Sequence, residues 1–180
     1  MKIIGKNSII YWLRIPFSIY IILFLTSSLW IFVLMGIYVI SGPNQFISEA
    51  TWNNSDVKIV QFHYPYSKMV LATENSVEGL GIAFLGLASI CFVLFASLKL
   101  VYQFSRDNIF TGSALKYLSI LGFGMIIFGI LQLSFDLVVK PNSFDLTPPF
   151  FLVLIGIVIL IIKEIFAKGK ILQDENELTI

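Results

Sequence analysis

Four long apolar runs divide the chain, at residues 15–40, 79–98, 115–139 and 150–167, with polar or breaker-rich stretches between them. Each run is long enough to be read as a membrane-spanning helix rather than a buried core segment. The first, 26 residues from 15 to 40, would rise about 39 Å as a helix. The hydrocarbon layer is about 30 Å thick, so this helix tilts or projects beyond it. Pro16 suits the first turn of that helix, and Ser41-Gly42-Pro43-Asn44 is a strong stop. In the second run Gly79, Ala83 and Gly86 fall at i, i+4 and i+7, a small-residue stripe that lets a neighbouring helix approach. In the third, Gly122, Gly129, Gln132 and Asp136 lie within about 80° of one another at 100° per residue. A stripe of that composition should face protein, not lipid. Pro148-Pro149 opens the fourth helix. Glu164 and Lys168 form an i, i+4 pair near its end, and Gly169 is the expected stop.

The stretch between the first two runs, residues 42–78, has a different pattern. Residues 57–64 and 66–72 are rich in β-branched and aromatic side chains, with Pro65 between them. That pattern predicts a short hairpin or an interfacial flap. The expected fold is therefore an all-α membrane protein, a single integral membrane domain over residues 1–180. It has four transmembrane helices, a small extracytoplasmic loop region at 42–78 containing a β-hairpin, and a cytoplasmic tail at 168–180.

Composition strengthens this reading. Of 180 residues, 57% are hydrophobic and 13% charged, about half the charged share of ordinary soluble domains. Mean hydropathy is +0.89. The first run is longer than a signal-peptide core and no small-x-small site closes it, so it reads as a retained span.

Net charge is +1, so the positions of the charges matter more than their sum. Lys2, Lys6, Arg14, Lys99, Arg106, Lys116, Lys163, Lys168 and Lys170 flank one side of the expected threading. Lys58, Lys68 and Lys140 lie on the other. Nine against three places both termini and the turn at 99–116 in the cytoplasm under the positive-inside rule.

Candidate chemistry is sparse. Cys91 is the single cysteine and lies within an apolar run, so it can form neither an internal disulfide nor a zinc site by itself. His63 is the single histidine, and Glu49, Asp56 and Glu74 are too scattered around it to make a metal motif. No nucleophile–base pair and no phosphate-binding glycine loop are legible, and no acidic residue falls in the middle of a span. An enzyme is not expected, no cofactor is implied, and no basic–aromatic run points to direct nucleic-acid binding. The one polar feature inside the spans is the pair Gln132 and Asp136. It is either a ligand, ion or proton site in the helix bundle, or a polar end reaching the headgroups. Membrane lipid is the expected surrounding partner, and homo-oligomerisation is an open alternative.

The closing segment EIFAKGKILQDENELTI resembles the end of a bacterial membrane family known as domain of unknown function 2975. Ile165, Phe166, Gly169, Leu172, Gln173, Glu175, Glu177, Leu178, Thr179 and Ile180 carry the likeness. The turn RDNIFTGSALKYLSILG is similar too, through Phe110 and residues 118–122, and departs from the family at Thr111-Gly112-Ser113. The resemblance implies four spans in a bacterial cytoplasmic membrane and no assigned activity. It also implies a partner, because family members are often encoded beside a small helix-turn-helix DNA-binding regulator. Leu172, Leu178 and Ile180 would supply apolar anchors for such a partner, and Asp174, Glu175 and Glu177 an acidic face. The alternative for the same residues is a solvated tail folded against the helix ends.

Overall fold

The structure, a computed structural model, describes residues 8–51, 57–65, 68–105, 111–139 and 145–177. In chain order the elements are α1 (Ile9–Ser41), β1 (Ile47–Thr51), β2 (Lys58–His63), β3 (Val70–Glu74), α2 (Val77–Phe104), α3 (Gly112–Val139) and α4 (Thr147–Glu177). All four helices are long and apolar enough to cross a membrane, and the protein is a multi-pass membrane protein. The strands form one antiparallel sheet in the order β1-β2-β3. The expected hairpin is β2–β3. The third strand was not anticipated, so the protein is mostly helical with a small sheet rather than all-α.

The helices outrun the apolar runs because polar residues start and stop them. Ser8 Oγ accepts the Tyr11 amide at 3.2 Å, Ser76 Oγ the Gly79 amide at 3.0 Å, and Thr111 Oγ1 the Ala114 amide at 3.4 Å. Each satisfies a donor that the first helical turn leaves open. The Ser8 cap starts α1 early enough to place Pro16 inside the helix instead of in its first turn. At the other end Gly42 adopts φ +77° and its amide donates to Tyr38 O at 2.9 Å. That left-handed closure is the one glycine makes cheaply. The expected stop at Gly169 is overturned, since α4 runs through it to Glu177. One interior glycine costs about 1 kcal/mol relative to alanine. The surrounding Ala167, Lys168, Lys170, Leu172 and Gln173 are good helix formers that offset it. Glu164 pairs with its neighbour Lys163, not with Lys168.

Contacts divide the chain into two compact units. One comprises Ile22–Cys91 and Leu131–Asp145, the other Met1–Ile21, Phe92–Ile130 and Leu146–Ile180. In the first, the sheet lays one face on α1 and α2. Val60 and Phe62, two apart on β2, point the same way. Phe62 pairs with Ile47 on β1 and Leu71 on β3. These side chains close a core with Ile31, Leu34 and Met35 of α1 and Leu87 of α2. Trp30 fastens helix to sheet, donating its indole N–H to His63 O at 3.4 Å and meeting Phe46 edge-on at 5.4 Å.

The second unit has helices and no strand among its described residues. Ala96 and Leu100 of α2 pack with Leu118, Leu121 and Met125 of α3, and Leu152, Ile159 and Phe166 of α4 join them. Backbones also approach closely, at Gly122 and Gly156. A methyl group at Gly156 would lie 2.7 Å from Gly122 O, and one at Gly122 would lie 3.0 Å from Gly156 O. Small residues at a helix crossing let main chains touch, which is how helices associate where lipid removes the hydrophobic drive.

Candidate functional site

The buried positions of α3, Ala114, Leu118, Leu121, Met125, Gln132 and Asp136, recur at helical spacing. The first four are apolar and the last two are not. Gln132 and Asp136 are each only 7% exposed, and their i, i+4 spacing sets them on one face. The predicted inward-facing stripe is therefore buried at its polar end. Gln132 Oε1 has no hydrogen-bond partner among the described residues. Its Nε2 lies over Gly86 of α2, 4.0 Å from where a methyl group would stand. The glycine leaves room for the amide and offers it no side-chain partner. A buried acceptor left without a protein partner costs about 1–3 kcal/mol, and this is the strongest polar anomaly among the described residues.

The other small residues of the stripes do other jobs. Gly79 was expected to seat a helix, but it abuts the end of β3. A methyl group there would fall 2.5 Å from Glu74 O. Within this unit α2 meets α3 at Gly86 of the predicted stripe, beside Gln132, and at Gly81, which the stripe did not include, against the Phe135 ring. Beside Gly81 lies an apolar cavity of about 580 Å³, lined by Phe32, Met35 and Gly36 of α1, Leu80 and Phe84 of α2, and Phe135 of α3.

The sheet carries two polar clusters. The Tyr38 hydroxyl lies 2.7 Å from Glu49 Oε1 and 2.8 Å from Asn75 Oδ1, so its single proton serves one of them at a time. His63 Nε2 lies 3.0 Å from Ser48 Oγ. No group of three or more metal-ligating side chains occurs among the described residues. Glu74 lies on the same sheet face as His63 by alternation, four pairs along the β2–β3 register, and Asp56 lies outside the described residues. Tyr64 follows His63. Burial holds its phenol above the usual range, with a smaller contribution from Cys91.

Along the last turns of α4, Leu172, Asp174 and Glu175 are exposed, as predicted for partner contacts, and so is Ile171, which was not singled out. Leu172 is 61% exposed and Ile171 is 57% exposed. The side chain of Glu177, and the residues Leu178, Thr179 and Ile180, lie outside the described residues, as do Phe110 and Arg106 in the turn before α3.

Residues 6–180 match a family described as a protein of unknown function, DUF2975. The chain belongs to that family. The match covers essentially the whole chain, including the turn and the closing segment that carry the likeness in sequence. No curated protein and no solved structure matches this DUF2975 chain.

Proposed function

We propose that this DUF2975 protein is a non-catalytic membrane protein of the bacterial cytoplasmic membrane. On this reading it acts through a cytoplasmic partner that docks on the end of α4. The observation that carries it is the continuation of α4 through Gly169 to Glu177. At 31 residues the helix rises about 46 Å, well beyond a hydrocarbon layer of about 30 Å. Its last turns present Ile171 and Leu172 to solvent beside Asp174 and Glu175. An amphipathic helical end with apolar anchors and an acidic flank suits a basic partner, and the helix-turn-helix regulator implied by the family resemblance is such a partner. The charge split of nine against three puts this end in the cytoplasm. The sheet then belongs to the extracytoplasmic side, where water can satisfy the outer edges of β1 and β3. Open sheet edges do not occur in hydrocarbon.

The test is crosslinking in living cells between a photoreactive residue at Leu172 and the regulator encoded alongside. A crosslink at Leu172 that disappears when Ile171→Asp is introduced beside the photoreactive residue supports the reading. No crosslink at Leu172 or Ile171, with the protein at normal abundance, contradicts it.

A second reading is favoured by Gln132 Oε1, the buried acceptor without a partner among the described residues. On that reading the polar end of α3 binds a small ligand or ion in the bundle, through Gln132 and Asp136. Asp136→Asn and Gln132→Leu would then abolish a ligand-induced shift in melting temperature. If both variants keep the shift of the parent protein, this reading fails.

A further inference from the structure

We infer that Arg14 and Lys99 form a headgroup site for an anionic phospholipid on the helical unit. On α2, Phe95, Leu98, Lys99 and Tyr102 fall at i, i+3, i+4 and i+7, one stripe along the helix surface. The stripe turns from apolar to cationic to phenolic toward the end of α2 at Phe104, the order of an acyl chain meeting its headgroup. These residues, with Gln103 and Tyr117, line a pocket of about 270 Å³, which has room for a headgroup but not for a whole lipid. Arg14 of α1 does not line the pocket but stands beside it, its guanidinium 5.6 Å from the ring of the lining residue Tyr102 and 4.4 Å from the Tyr11 ring. Lys99 Nζ sits 5.3 Å from the Phe95 ring.

Neither cation has a carboxylate partner among the described residues, where the ion pair is Lys163–Glu164. Aromatic faces hold the two cations in place without neutralising them. Charge complementarity therefore selects an anion. The adjoining apolar surface of Phe95 and Leu98 selects one that carries a chain. Basic pockets between spans recognise anionic lipid headgroups in this way. Tyr102, Tyr117 and Gln103 add hydroxyl and amide donors for phosphodiester oxygens.

Native mass spectrometry of the full-length protein, with phosphatidylglycerol or phosphatidylcholine added to the detergent, tests the site. The parent protein should retain phosphatidylglycerol at about tenfold lower concentration than phosphatidylcholine, with the preference falling as salt rises. Arg14→Gln/Lys99→Gln should abolish the preference, whereas Lys116→Gln, exposed outside the pocket, should keep it. Arg14→Lys/Lys99→Arg should restore most of it, separating charge from folding. Soluble glycerol 1-phosphate should not displace the lipid at matched concentration, and displacement would overturn the assignment to lipid. Equal retention of the two lipids, a preference insensitive to salt, or a double glutamine variant that keeps the preference would overturn the site.

Discussion

The two units reach close packing by different means. The sheet-bearing unit fills its core with large side chains from five elements, and Val60 and Phe62 are completely buried. The helical unit has a core of Leu100, Leu118, Leu121 and Met125 with Ala96, and adds close approach of main chains at Gly122 and Gly156. On the proposed topology, with the sheet in water, the contrast follows from solvent. Water drives apolar side chains together, so a sheet face with alternate Ile47, Val60, Phe62 and Leu71 gains by burying them. Lipid supplies no such drive, and helices gain instead by close approach and dispersion.

The largest test of that contrast is Phe62→Ala. It should cost about 3–5 kcal/mol and open residues 42–78 to protease while the helical circular-dichroism signal persists. Gly156→Leu should do the reverse, costing about 1–3 kcal/mol through overpacking and lowering helix stability in a detergent unfolding titration, with the sheet still resistant to protease. Losing one cap is smaller still. Ser76→Ala should cost about 1 kcal/mol in the same titration. Gly36→Ala is the counter-case. Nothing lies within 4 Å of the added methyl group, so it should stabilise α1 by about 0.5–1 kcal/mol.

The smallest effect concerns pH. Burial raises the Tyr64 phenol in the folded protein, so the neutral form is favoured there. Its stabilisation is complete below the ordinary tyrosine range near 10 and is lost as pH rises through the folded value. Tyr64→Phe should flatten the alkaline fall in stability of the sheet unit. A melting profile unchanged between the two proteins from neutral to strongly alkaline pH would contradict this.

Most of the fold was legible because long apolar runs have one solution in a membrane. The four helices, the stop at Ser41-Gly42 and the opening at Pro148-Pro149 all follow from residue chemistry that acts locally. Strand β1 was not legible. Its sequence, ISEAT, places Ser48, Glu49 and Ala50 where strands favour β-branched or aromatic residues. It is a strand because pairing with β2 and burial of Ile47 supply what propensity does not. The continuation of α4 past Gly169 escaped notice for a related reason: a glycine signals a stop only where its neighbours also disfavour helix. Of the candidate residues, Gln132 and Asp136 could be read from helical spacing. That Gln132 Oε1 lacks a protein partner among the described residues could not, because it depends on Gly86 of another helix. Ile171 lay in plain view as an exposed neighbour of Leu172, and was missed by treating the segment after Gly169 as a tail rather than as helix.

The central proposal, drawn from the charge split, is that residues 42–78 are extracytoplasmic and the end of α4 is cytoplasmic. Its direct test is labelling of intact cells with a membrane-impermeant maleimide, using a Cys91→Ser background that carries either Glu49→Cys or Asp174→Cys. The account predicts strong labelling of the protein carrying Glu49→Cys in intact cells, and labelling of the protein carrying Asp174→Cys only after the membrane is opened. Labelling of both in intact cells, or of Asp174→Cys alone, would contradict it.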